Sequence, residues 1–242
     1  MPAQLQLFES RDESARWTVR VSHRARRLSV RVYPGGRVEV VAPPGASPAT
    51  VQRFVGTHRQ WIDRRIEDLS SEGIVEGGPP ATLQLAAIGR NFTVDYEHGA
   101  TRVWIDEHDP LRLRVRAPLR DQRAVGQALR RWLAELAHEE LGRQLERVAA
   151  DGGFRYARVQ IRRQRTRWGS CSVSGTISLN VCLMFLAPAV VRYLLLHELC
   201  HTKHMNHSQR FWSLVQAHEP DYQRLDRELL RGWQCVPGWM FQ

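Results

Sequence analysis

Lysine is nearly absent from this chain of 242 residues: among 35 basic side chains Lys203 stands alone, and every other one is arginine. The formal net charge of +10 would ordinarily point to nucleic acid, phosphate or an acidic surface. So uniform a use of arginine also fits codon composition and a solvated basic surface, so charge alone assigns no partner. Cysteine is sparse as well. Cys171, Cys182, Cys200 and Cys235 form no C-x-x-C pair, which excludes a zinc ribbon and a redox dithiol and leaves free thiols as the expectation.

Long apolar runs are missing too. The most apolar region, Val181 to Leu196, is interrupted by Pro188 and Arg192 and falls short of the roughly 20 residues that a membrane span needs. The N-terminal "MPAQLQLFESRDE" is acidic where a secretion signal is basic. Together these predict a cytoplasmic protein without a membrane segment.

What is present begins with alternation. "RLSVRVYPGGRVEVVAP" places Leu28, Val30 and Val32 on one side, turns at Pro34-Gly35-Gly36 and resumes with Val38 and Val40, predicting a hairpin. "SPATVQRFVGTHRQWIDRRIEDL" then carries one continuous helical face from Val51 to Leu69, with Ser47 as cap and Pro48 at the first position. His58 on that face reads as a packed histidine. "SSEGIVEGGPPA" breaks the pattern and is the linker candidate. Short strands return over residues 82–117, and a long helix runs from Asp121 to Gly152-Gly153. Its "HEELG" lacks a second histidine, so His138 is expected at the surface. "VQIRRQRTRWGSCSVSGTISLNVCL" reads as a β-hairpin turning at Ser174-Gly175, and Pro188 opens a helix followed by two more. The expected class is α+β, a strand-rich N-terminal region followed by a mixed C-terminal one. The expected segments are 1–75, 82–117 and 118–242, with the last carrying the chemistry, and all three compatible with one continuous domain.

That chemistry lies in "HELCHTKHMNH", which holds four of the ten histidines. His197 and His201, four apart, sit one above the other on a helix and converge on one cation. Glu198 lies about 100° further round, placed to reach water without ligating the metal. A catalytic zinc needs a third protein ligand and an open position. His207, six residues past His201, is the favoured third ligand, returned over the metal by a left-handed turn at Asn206 and a helix capped at Ser208. Glu219, on a following helix, is the rival, and His204 is expected outside the ligand set. Zinc, or another divalent metal, held this way activates water, with Glu198 taking its proton.

The arginines at 162, 163, 165 and 167 allow a second reading. If the segment is a strand, Arg163, Arg165 and Arg167 share one face, and with Trp168 they are candidate substrate contacts. Attack at phosphorus would make the chain a nucleotide pyrophosphatase or phosphoester hydrolase acting on a nucleoside triphosphate. Nucleic-acid binding around a structural zinc fits poorly, because such sites are closed by four ligands and leave Glu198 without a task. A cysteine nucleophile at Cys171 lacks a nameable base.

The combination of "RRQRTRWGSCSVSGTISLN", a Pro-led helix with "HELCH", then "HMNHSQRFW" and "PDY" resembles the YgjP-like metal-dependent hydrolases, related to SprT-type zinc peptidases. "GRVEVVAPPGA" and "WIDRRI" extend the resemblance to the N-terminal part. The resemblance implies a zincin-like C-terminal domain, with His197, His201 and His207 as ligands and Glu198 as general base. It also implies an edge strand at "RWGSC" beside the metal helix, able to pair with an extended peptide. A metallopeptidase acting on peptide or protein is therefore the first expectation.

Overall fold

The computed structural model describes residues 17–33, 38–69, 79–118 and 121–241. They fall into two compact units, one up to residue 74 and one from residue 75. The expected turn at Pro34-Gly35-Gly36 and most of the expected linker lie outside the described residues.

In the first unit, β2 (Ser29–Val32) and β3 (Val38–Ala42) pair antiparallel with Val30 opposite Val40, as the alternation predicts. A third strand, β1 (Trp17–Val21), pairs parallel to β3, so β3 is central. The predicted single helix is two: α1 (Pro48–Thr57) and α2 (Arg59–Leu69). The break has a local cause. His58 Nδ1 bonds the carbonyl of Phe54 at 2.8 Å, and the His58 backbone N–H reaches the carbonyls of Phe54 and Val55. The imidazole thus caps α1 before the second stretch begins. Ser47 Oγ accepts from Thr50 N at 3.2 Å, the expected cap. Val40, Ala42 and Val51 form the core of this unit, packed by Trp17, Val30 and Phe54.

The second unit contains two sheets. The first has the order β4-β5-β7-β6, from β4 (Thr82–Leu85), β5 (Arg90–His98), β6 (Trp104–Asp109) and β7 (Arg112–Ala117). Across it lies α3 (Gln122–Gly152), opened by Asp121 accepting from Ala124 N and closed by Gly153 at φ 64°. Leu129, Leu133, Leu141 and Leu145, each fully buried, mark its inner face at the helical spacing. Trp132 stands edge-on to Phe92 and donates to Glu107 Oε1 at 2.7 Å, tying helix to sheet.

The second sheet carries β8 (Arg158–Arg162), β9 (Gly169–Cys171) and β10 (Thr176–Asn180) in the order β8-β10-β9. The predicted hairpin is β9 and β10 alone, turning through Gly175 at φ 76°. β8 is not its continuation. It pairs parallel to β10 on the other side, so a crossing segment, residues 163–168, separates β8 from β9. Beyond β10 a tight helical turn over Val181–Phe185 leads to α4 (Pro188–Cys200), then α5 (Gln209–His218) and α6 (Tyr222–Arg231). α4 is apolar almost all round and correspondingly buried, with Val191, Tyr193, Leu195 and Leu199 at zero exposure. No helix among the described residues is long and apolar enough to cross a membrane. The molecule is a mixed α/β protein with several sheets and six α-helices among the described residues.

Candidate metal centre

α4 supplies the first two histidines. His197 lies in its last turn and His201 immediately follows it. The helix ends there rather than near Asn206. The N–H groups of Thr202, Lys203 and His204 fold back onto the carbonyls of Leu199 and Cys200 at 2.9–3.0 Å, closing the last turn with tighter bonds. The turn that returns His207 is therefore made at His201–His204, and Asn206 does not end the helix as predicted. Ser208 does occupy the capping position of α5, but its side chain makes no capping bond.

The three imidazoles nevertheless meet. His197 Nε2 and His207 Nε2 are 3.1 Å apart, and one nitrogen from each of His197, His201 and His207 lies within 4.8 Å of the other two. Two nitrogens bound tetrahedrally to one zinc at 2.0–2.1 Å stand about 3.3 Å apart, so the observed pair fits a single small cation. The protonation states fit it as well. Burial first, and the charges of His201 and His207 second, depress the His197 pKa to about 3, and burial lowers that of His201, so both present neutral donors. His201 Nδ1 donates to the carbonyl of His204 at 3.0 Å, which fixes its tautomer and leaves Nε2 to ligate. His204 thus contributes its backbone, not its ring.

Glu219, the rival ligand, is elsewhere: its Oε2 is paired with Arg192 Nη1 at 3.1 Å. An arginine within reach claims the carboxylate, and the cluster holds histidines alone.

Phe211 and Trp212, which sequence reasoning passed over, hold the rings in place. Phe211, fully buried on α5, stacks on His201 at 4.5 Å and stands edge-on to His197 and His207, each at 4.9 Å. Trp212 stacks on His207 at 5.5 Å and on Tyr222 at 5.4 Å. The signal was present as "HSQRFW", two aromatics one helical turn after His207. From α6, Asp226 accepts from Tyr193 Oη at 2.9 Å, anchoring α4 one turn before His197.

Glu198 is buried at 4% exposure, and its Oε2 has no hydrogen-bond partner among the described residues. Burial pushes its pKa up to about 8, against the opposing pull of the Arg167 charge. A buried, partnerless carboxylate costs stability and marks a place where function overrides packing. Gly169, at the start of β9, lies against it: a Cβ there would stand 2.6 Å from Glu198 Oε1. β9 is the outer strand of its sheet, as the resemblance implied.

Asn180 determines where β9 starts. Fully buried, it donates from Nδ2 to the carbonyls of Gln164 at 2.7 Å and Arg167 at 2.8 Å, while its own N–H meets the Trp168 carbonyl at 2.8 Å. Its Oδ1 accepts from Cys182 N at 3.0 Å. One side chain thus ties residues 164–168 to the end of β10.

This crossing segment divides the arginines. With residues 163–168 outside any strand, Arg163, Arg165 and Arg167 do not share a strand face. Arg163 lines a cavity with Arg130 and Arg131 of α3, Arg165 donates to the carbonyl of Phe241 at 3.2 Å, and Arg167 alone acts electrostatically on Glu198. Trp168, also a candidate substrate contact, is 7% exposed and stacked on Trp233 at 4.0 Å. Cys171 has its thiol pKa raised by burial and by Glu198, the opposite of an activated nucleophile.

This arrangement of fold and histidines agrees with a metal-dependent hydrolase. The YgjP-like, metallopeptidase domain family matches residues 26–231, and the chain belongs to the YgjP-like metallopeptidase family. Its members' class implies a divalent metal and a peptide or protein substrate. Among solved structures, the metallopeptidase zymogen of Pyrococcus abyssi abylysin is similar at 29% sequence identity over 36% of this chain and 90% of that chain, with a TM-score of 0.33. No curated protein matches the chain.

Proposed function

We propose that the chain is a zinc-dependent peptidase of zincin-like layout, with residues 118–242 as the catalytic domain. In this reading His197, His201 and His207 hold the metal, and Glu198 is the general base. The observation that carries it is the pairing of three converging imidazoles with a buried carboxylate whose Oε2 has no other partner among the described residues.

Three nitrogen ligands leave an open position, and a cation held there supplies Lewis acidity to a carbonyl and makes water a stronger acid. Glu198 Oε2, free of other partners, takes the proton of the attacking water and returns it to the departing amine. Gly169 keeps the space beside Oε1 clear, and Asn180 fixes the strand that carries Gly169. β9, unpaired on its outer side among the described residues, offers backbone groups to an extended peptide. Trp168, the residue before Gly169, is held by stacking on Trp233.

The nucleotide reading has lost its main observation, because the arginines invoked for phosphate do not gather on one strand face beside the histidines. The reading is tested by giving zinc-loaded protein a panel of unfolded proteins and nucleoside triphosphates side by side. Peptide-bond cleavage without pyrophosphate release is expected; pyrophosphate release without cleavage contradicts it.

A further inference from the structure

Two arginine pairs distant in sequence come together away from the histidines. Arg130 and Arg131 belong to α3, Arg162 ends β8 and Arg163 is the residue after it. With Gln127 and Val181 they line a cavity of about 300 Å³. Among the described residues none of the four arginines is within ion-pair distance of a carboxylate. Arg162 bonds the side chain of Gln160, a neutral partner.

Arg130 is the telling member. It is 7% exposed, its Nη1 donates to the Trp239 carbonyl at 2.7 Å, and its buried Nε has no partner among the described residues. A guanidinium remains charged in proteins, so burying one beside three others without a counter-charge is unfavourable unless an anion completes the site. Burial and the Arg163 charge make Arg130 easier to deprotonate than an ordinary arginine, which is that strain expressed in proton affinity.

We propose that this cavity binds a phosphate-class oxyanion at a site separate from the metal centre. Four arginines lining one small volume suit an ion with oxygens on all sides better than a single planar carboxylate. The volume lies at the lower end for small-molecule sites, enough for phosphate or pyrophosphate. The site is separate because β8 carries it at one edge of the sheet, while β9 faces Glu198 from the other, with β10 between them. Two strand spacings put about 10 Å between those edges. This goes beyond the proposed peptidase activity and does not depend on it.

The test is calorimetric titration of metal-loaded protein with inorganic phosphate and with pyrophosphate at constant ionic strength. Saturable binding near one equivalent is expected, with a dissociation constant below about 1 mM for pyrophosphate. The double variant Arg162→Gln/Arg163→Gln, which changes exposed side chains and spares Arg130, should bind at least about tenfold more weakly. The His197→Ala variant should bind as the parent does, because the anion is not held by the metal. A titration with a nucleoside 5′-monophosphate separates two sources of the same chemistry. Binding no tighter than phosphate assigns the free ion; tighter binding assigns a phosphoryl group on a larger molecule. Absence of saturation by phosphate and pyrophosphate, a smaller loss in the arginine variant, or loss of binding in His197→Ala would each overturn the proposal.

Discussion

Gly169 and Glu198 are packed so closely that a methyl group on the first would stand 2.6 Å from Oε1 of the second and 2.9 Å from its Cγ and Cδ. The edge strand and the metal helix therefore meet at a position where no side chain fits. Gly169→Ala is expected to push the carboxylate aside, lowering peptidase turnover by at least about tenfold while metal content stays unchanged. Overpacking of this kind costs about 1–3 kcal/mol of stability. Turnover and bound metal, measured on one preparation, check it.

Asn180 offers a sharper substitution. Asn180→Asp keeps the shape but replaces two donated hydrogen bonds, to the Gln164 and Arg167 carbonyls, with a buried acceptor facing two acceptors. Losing both and stranding the partners costs roughly 3 kcal/mol or more. Urea unfolding should show that loss. Activity should fall with it, because the segment leading to Gly169 is released.

The pH dependence follows from two opposite shifts. In metal-free protein, burial raises Glu198 from an ordinary 4.5 to about 8, so the folded state holds a proton that the unfolded chain has already released. Its contribution to stability is full below 4.5 and is lost as the pH rises through 8. His197 is lowered from 6.5 to about 3, so its contribution is full above 6.5 and is lost as the pH falls through 3. Chelated protein should have its highest melting temperature between these limbs. Glu198→Gln should abolish the alkaline fall and leave the acid one, as read by melting curves from about pH 3 to about pH 9.

Phe211 touches all three imidazoles. Phe211→Leu keeps an apolar group in the space, costing about 1–2 kcal/mol as a large-to-small change, and removes the flat face that orients the rings. Supports of this kind are worth about 10–100-fold in metal affinity. Competition with a chromogenic zinc chelator should show a weakening in that range while the variant stays folded in urea titration.

Much of this centre was legible in advance because helical periodicity converts spacing into direction. His197 and His201 at four residues, and the Pro188 start, follow from one-dimensional rules, as does the long helix between Asp121 and Gly153. What could not be read depends on pairing across the chain. That β8 joins β10 in parallel is a tertiary choice, and it dissolved the expected arginine face while bringing Arg162 and Arg163 to α3. Glu219 was open as a ligand until its pairing with Arg192 was seen. His58 broke a helix whose apolar face looked continuous, through an imidazole bond to the Phe54 carbonyl that no propensity scale encodes. The convergence of His207 was anticipated, yet by the wrong turn, since the chain folds back at His201–His204.

In the proposed mechanism Glu198 moves the proton in a reaction made possible by a metal on the three histidines. The most direct measurement compares cleavage of an unfolded protein by wild type and Glu198→Gln, both loaded with zinc to the same measured content. One zinc per chain is expected in each, with a turnover at least about 100-fold lower in the variant. Equal turnover at equal zinc content would contradict it.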